Sequence, residues 1–283
     1  MAFHRAGRLA EADQRYAAWL RDHPRHADAL RLRGILARET GELERSMKLL
    51  RAATDAAPDD AEPAAELGLS CVAAGYLHLA EAALRKALAR DPASRKALAN
   101  LGALHQHRGH LAAAIDCHQS LLRLEPDDIE VRCNLAWALV EAGRGDEALA
   151  ECGTALATAP HRPELLATKG GVLVALGQYE AAVPCLESAL ESGPDDMALI
   201  NLALAREQSG VAEEAREILE AALRVNPDNA RAMADLVSLL AGAGRADEAV
   251  ARSGEFLGRN PGERLVLAAR SVALRDAGRG DEA

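Results

Sequence analysis

The sequence predicts an all-α solenoid of stacked, antiparallel helix pairs. Three observations predict it. Prolines recur every 34 residues, a glycine recurs midway between them, and the composition is rich in Ala and Leu with few period-two runs of β-branched residues.

The prolines set the period. Pro24, Pro58, Pro92, Pro126, Pro160 and Pro194 stand 34 residues apart, Pro227 follows after 33 and Pro261 after 34. A sustained period of this size signals stacked supersecondary units, none of which closes a core alone. Each proline follows an apolar stretch and precedes polar residues, as in Glu125-Pro126-Asp127-Asp128. Proline cannot continue a helix, so it marks a stop, and an Asp or Asn after it can cap the next one.

The glycines supply the second break. Gly41, Gly75, Gly109, Gly143, Gly177, Gly210, Gly244 and Gly278 keep one phase. A left-handed residue commonly ends the first helix of such a pair, and glycine adopts that conformation without penalty. The unit is therefore a first helix (A), a tight turn, a second helix (B) and a proline stop. Pro184 is expected in the first turns of a B helix, where its missing N–H costs least. Trp19 falls at a normally small B-helix place and is expected to pack there.

Composition excludes several function classes. Aromatics make up 2% of the chain, and Ala and Leu dominate the 49% that is hydrophobic. The formal net charge of −10 repels phosphate backbones, so nucleic acid is not an expected partner. Cys71, Cys117, Cys133, Cys152 and Cys185 are odd in number and lack CxxC spacing, which reads as reduced thiols in a cytoplasmic protein. The opening Met-Ala-Phe-His-Arg-Ala-Gly has no apolar secretory core, and apolar stretches such as Val172 to Leu176 are too short to span a bilayer, so no membrane association is expected.

Motif residues within the unit carry a family resemblance. Leu67-Gly68, Leu101-Gly102, Lys169-Gly170 and Arg33-Gly34 share one place; Ala80, Ala114, Ala148, Ala182, Ala215 and Ala249 share another, with Ser46 in the first full repeat. Together with the prolines this pattern resembles the tetratricopeptide repeat (TPR) family over nearly the whole chain. The large aromatics of the family pattern are replaced here by Leu, His or Cys, as at Cys71 and His105. The resemblance implies a right-handed superhelical solenoid. The expected array is a half repeat 1–26, full repeats 27–60, 61–94, 95–128, 129–162, 163–195, 196–229 and 230–263, and a half repeat 264–283.

In TPR proteins the A helices line the concave face, so the resemblance assigns places two, five, six, nine, twelve and thirteen of each repeat to a groove. Asn100, Asn134, Thr168 and Asn201 take place six, and Trp137 and Leu204 take place nine. Ile200 takes place five and Val174 place twelve, with Glu130 and Glu141 at the edge. A primary amide offers one acceptor and two donors, so an asparagine ladder can pair with an extended peptide backbone without reading side chains. The TPR superhelix of O-linked N-acetylglucosamine transferase is similar in this respect. Trp137 is an anchor candidate, since tryptophan buries a large area at interfaces. Glu130, Glu141, Glu164 and Glu207 surround this groove, with Lys96 and Arg231 at its ends, so a neutral or basic segment suits it better than an acidic one.

No catalytic constellation is evident. His105, His107, His110 and His118 cluster near Cys117, but His105 and His118 fall on core places, so no metal is expected. His26-Ala27-Asp28 resembles half of an iron facial triad but lies in a repeat linker. Neither a phosphate-binding glycine loop nor a nucleophile elbow is present, and no cofactor is expected. The expected function is a non-enzymatic protein- or peptide-binding scaffold. The alternative is the recognition arm of a larger enzyme. The segment from Phe256 to Leu274 resembles the last repeats of bacterial TPR proteins that continue into an iron/2-oxoglutarate oxygenase domain, and a glycosyltransferase domain is the other candidate. The final helix, about 264–277, carries Leu265, Val266, Leu267, Val272 and Leu274 without a following B helix, which points to a longer protein or to self-association through that end.

Overall fold

The structure is a computed structural model that describes residues 8–282; the first residues of the expected half repeat 1–26 lie outside the described residues. Its contacts form two compact units, one ending at Ala142 and the other beginning at Gly143. Among the described residues all regular structure is helical.

The first unit holds α1 (Leu9–Asp22), α2 (Ala27–Glu39), α3 (Leu43–Ala56), α4 (Glu62–Ala73), α5 (Leu77–Leu88), α6 (Arg95–His107), α7 (Leu111–Leu124) and α8 (Ile129–Glu141). Helices α2 and α3, α4 and α5, and α6 and α7 form the antiparallel A/B pairs, and each B helix packs on the next A helix. The second unit holds α9 (Gly145–Thr158), α10 (Pro163–Ala175), α11 (Tyr179–Leu190), α12 (Asp196–Gln208), α13 (Ala212–Val225), α14 (Ala230–Gly242), α15 (Ala246–Arg259) and α16 (Arg264–Asp276), followed by a 3₁₀ turn, Gly280–Glu282. Here α10 with α11 and α12 with α13 repeat the same pairing.

The punctuation forms as the residues dictate. All eight phased glycines are left-handed, with φ from 72° at Gly109 to 83° at Gly210. N-caps follow the prolines: Asp128 accepts from the Val131 N–H at 3.1 Å, Asp195 from Ala198 at 2.7 Å and Asn229 from Ala232 at 3.0 Å. His26 does the same for α2, its Nδ1 accepting from Ala29 N–H, and Asp28 pairs with Arg31 at 3.2 Å, so the His-Ala-Asp motif is a helix start. Pro184 departs from expectation. It lies inside α11, beyond the first turn, and withholds a backbone donor there.

Close packing within each pair rests on size complementarity. Ala80, Ala114, Ala148, Ala182, Ala215 and Ala249 are all fully buried. Ser46, which stands at that place in repeat 27–60, is also fully buried and donates its hydroxyl to the Gly34 carbonyl at 2.7 Å. A Cβ added at Gly34 would lie 2.6 Å from Leu50, and one at Gly170 2.5 Å from Leu186, so the bulk comes from the B helix and the gap from the A helix. Repeat 230–263 reverses this, with Val237 at the glycine place and Ser253 at the leucine place, both fully buried. In that repeat α16 packs more extensively on α14 than α15 does. Arg270 of α16 lies over Gly254 and donates to the Val250 carbonyl at 2.8 Å.

Two sequence expectations need correction here. Trp19 is 48% exposed rather than packed. Its place holds Ala53 or Ala87 in later repeats, a slot too small for an indole, and the ring stacks on His23 with centroids 4.3 Å apart. Helix α16 is less open than its sequence indicates: Val266, Ala273 and Leu274 are buried, and Leu265, Leu267 and Val272 remain exposed.

Candidate functional site

The A helices carry the places assigned to recognition, and each unit presents its own set. In the first unit these places are dominated by internal charge pairing. Glu66 of α4 is almost wholly buried between two cations. Lys96 Nζ of α6 donates to its Oε1 at 2.6 Å, and Arg38 of α2 approaches Oε2 at 2.8 Å as an ion pair off the hydrogen-bond axis. Burial opposes the charge on Glu66, but Lys96 and Arg38 outweigh it and hold the carboxyl below its usual range. Burial likewise opposes the charge on Lys96, yet Glu62 and Glu66 raise its pKa. Lys96 is therefore neutralised inside the protein and does not stand as a free cation at a groove end.

Asn100 is also engaged, since its Nδ2 donates to the Lys96 carbonyl at 2.7 Å. A local i−4 bond of this kind leaves only part of the amide for a partner. One repeat later, Asn134 on α8 is exposed and has no hydrogen-bond partner among the described residues. Trp137, three residues on, is half-buried, and Glu130 and Glu141 are exposed at the two ends of the same helix. This unit thus offers a free amide beside a partly exposed indole, flanked by carboxylates.

In the second unit the sequence-assigned places divide by depth. Thr168, Val174 and Ile200 are buried, at 8%, 7% and 2% exposure. Val174 packs with Leu173 and Leu202, and Ile200 joins the core that surrounds Leu236 and Phe256. These three are corrections to the groove assignment. The A helices cross one another closely enough that apolar places five and twelve fill the seam between neighbours. Asn201 and Leu204 of α12 remain half-buried, and the Asn201 amide has no hydrogen-bond partner among the described residues. Burial, then the neighbouring Asp235 carboxylate, pushes the Glu207 carboxyl up. Arg231 is bound to Asp235 at 2.8 Å, so this end too has no free cation.

Sequence reasoning missed three residues of this face. Met197, Leu265 and Val272 stand at places two, two and nine, and are 53%, 56% and 44% exposed. The same place numbering finds them when place two is read in repeat 196–229 and places two and nine in the half repeat 264–283. Leu265 and Val272 were assigned instead to the flank of a terminal helix.

His105 and His118 are core residues at 3% and 2% exposure. Burial lowers the pKa of both and raises the Cys117 thiol to about 11. Among the described residues no three His, Cys, Asp or Glu side chains converge as a metal site. No helix among them is long and apolar enough to cross a membrane.

Family models described as tetratricopeptide repeat match residues 1–61, 97–130, 139–207 and 208–272. The chain belongs to the tetratricopeptide repeat family. This TPR chain is 30% identical over 261 residues to cellulose synthase 2 operon protein C of Komagataeibacter xylinus, a match over 87% of this chain and 20% of that protein. It is 35% identical over 145 residues to protein FlbA of Caulobacter vibrioides, covering 50% of this chain and 24% of the relative. With human tetratricopeptide repeat protein 7A it shares 34% identity over 102 residues, 36% of this chain and 12% of the relative. The TPR chain thus spans at most about a quarter of these relatives' length. Among solved structures, yeast Tom70 matches with a TM-score of 0.68 at 16% identity, over 96% of this chain and 60% of that one. A TPR protein from Parabacteroides merdae matches with 0.65 at 16% identity, over 80% and 90%. These likenesses show the fold. TPR repeats generally serve as scaffolds for protein interactions.

Proposed function

We propose that this TPR chain is a cytoplasmic scaffold whose A helices hold extended protein segments, through Asn134 and Trp137 in the first unit and, separately, through Asn201 and Leu204 in the second. The observation that carries the reading is that Asn134 and Asn201 keep unspent amides on A-helix faces, whereas Asn100 donates to its own helix. An unspent amide pairs with a backbone N–H and C=O whatever the partner's side chains are. Exposed Glu130 and Glu141, and the absence of a free cation at Lys96 or Arg231, favour a neutral or basic segment. Self-association through α16 is a further element, supported by exposed Leu265 and Leu267. Light scattering on Leu265→Lys and Leu267→Lys tests it, and a wild type that is monomeric removes it.

The test of the main reading is binding to an array of immobilised random peptides. Backbone recognition tolerates substitution of most peptide side chains, and Asn134→Ala or Asn201→Ala each weakens capture by about 1–3 kcal/mol with helicity unchanged. Unchanged capture by both variants removes the reading.

A further inference from the structure

The C-terminal end of α8 differs in charge from the ends of its fellow A helices. Backbone carbonyls at a helix C-terminus carry partial negative charge, so a carboxylate in the last turn works against its own helix. Four A helices put one there: Glu39 in α2, Glu141 in α8, Glu207 in α12 and Asp276 in α16. In three of them a base shares that turn, Arg38, Arg206 and Arg275 respectively. The last turn of α8 has none. Glu141 is exposed and has no ion pair or hydrogen bond among the described residues. Arg144, the next cation along the chain, is held by Glu147 at 2.7 Å.

Trp137 stands one turn before Glu141, and residues four apart are neighbours on a helix surface. The indole is half-buried, and among the described residues its N–H has no hydrogen-bond partner and no cation or ring lies against it. No other A helix has an aromatic residue four places before a last-turn carboxylate. On α6 the equivalent places hold Ala103 and His107. Three features of α8 therefore favour positive charge at one point: the negative face of the indole, the Glu141 carboxylate and the helix C-terminus. An ammonium group meets them as a point charge. A guanidinium also lies flat on an indole and presents a planar fork to a carboxylate.

We propose that the C-terminal end of α8 seats an arginine side chain of the bound segment, its guanidinium stacked on Trp137 and paired with Glu141. The proposal rests on the reading of α8 as a recognition face and names the residue which that face selects. Asn134, three residues before Trp137, is left to pair with the backbone of the same segment.

The experiment is calorimetry with two Gly-Ser dodecapeptides that differ only at one central residue, arginine in the first and its uncharged counterpart citrulline in the second. The arginine peptide is expected to bind roughly five- to tenfold more tightly. Trp137→Leu and Glu141→Gln are each expected to bring that ratio down toward one. Glu141 lies on the surface, so Glu141→Gln keeps the test valid if Trp137→Leu disturbs the helix, and circular dichroism checks both variants. Asn134→Ala separates this proposal from the backbone reading. An equal loss for both peptides supports the two together, whereas an arginine preference that persists while Asn134→Ala changes nothing supports the arginine seat and removes the backbone pairing. The proposal is overturned by an arginine peptide that binds no better than the citrulline peptide, or by a preference that neither Trp137→Leu nor Glu141→Gln reduces.

Discussion

Gly68 of α4 faces Leu84 of α5 so closely that an added Cβ would lie 2.6 Å from both the Leu84 Cγ and Cδ2. Leu84 is fully buried and has no room to move aside. Two opposing effects bear on Gly68→Ala. Alanine gains about 1 kcal/mol of helix propensity over glycine, while overpacking a tight core costs about 1–3 kcal/mol. Overpacking wins here, and Gly68→Leu is worse. Gly153 is the control: it is helical with nothing within 4 Å of its would-be Cβ, so Gly153→Ala keeps the propensity gain and is expected to stabilise. Urea unfolding of the variants checks the opposite signs.

That contrast also shows what the sequence discloses. Period and phase disclosed the turn glycines and the A/B pairing, because proline stops and left-handed glycines are local requirements. The alanine place was equally legible, and every alanine assigned to it is fully buried. Depth on the recognition face was not. Place numbers alone do not separate Leu204, which stays half-buried, from Ile200, which sinks into the seam. Side-chain bookkeeping was also invisible: Asn100 and Asn134 are identical in place and type, yet only Asn100 is engaged, with a carbonyl of its own helix. Trp19 failed for a third reason, since occupying a packing place does not ensure that the side chain fits.

Ser46 is the departure from the alanine place, and its hydroxyl is fully paired. It donates to the Gly34 carbonyl and lies 2.8 Å from the Ser70 hydroxyl, which in turn reaches the Glu66 carbonyl at 3.2 Å. Ser46→Ala leaves Ser70 with its own local partner. The expected cost is therefore at the low end for a buried hydrogen bond, about 1 kcal/mol. A double-mutant cycle with Ser70→Ala is expected to show coupling, and strict additivity contradicts a shared network.

His118 predicts a pH dependence. Both ring nitrogens are buried without a hydrogen-bond partner, and burial alone accounts for its lowered pKa. Its equivalents are Leu84 and Leu186, which fit against Gly68 and Gly170 as His118 fits against Gly102. As pH falls below the ordinary histidine value near 6.5, the unfolded chain takes a proton that the folded chain refuses. Stability from this site is present above that pH and declines below it. His118→Leu is expected to stabilise by about 1–2 kcal/mol near neutrality and to flatten the slope between pH 5 and pH 7. Urea midpoints for both proteins across that range decide it, and parallel slopes contradict the assignment.

Glu66 predicts the opposite partner chemistry, a buried charge that must stay ionised. Burial raises its pKa, but Lys96 from α6 and Arg38 from α2 lower it further, so the folded value lies below the unfolded value near 4.5. Its stabilisation is complete above that value and is lost as pH falls through the folded pKa. The carboxylate joins three successive A helices, and Glu62 spans the same three from a more exposed place, with Lys96 at 2.8 Å and Arg31 at 4.0 Å. Glu66→Gln keeps the shape and removes the charge, which leaves Lys96 with Glu62 alone and Arg38 with the Glu66 carbonyl and Ser70 hydroxyl. Because both cations keep secondary partners and some solvent contact, the expected cost is about 1–3 kcal/mol rather than that of a fully orphaned buried charge. Hydrogen exchange is the discriminating readout. Loss of protection is expected across α2, α4 and α6 together, and a loss confined to α4 would show that the carboxylate is a local pair and not a tie between repeats.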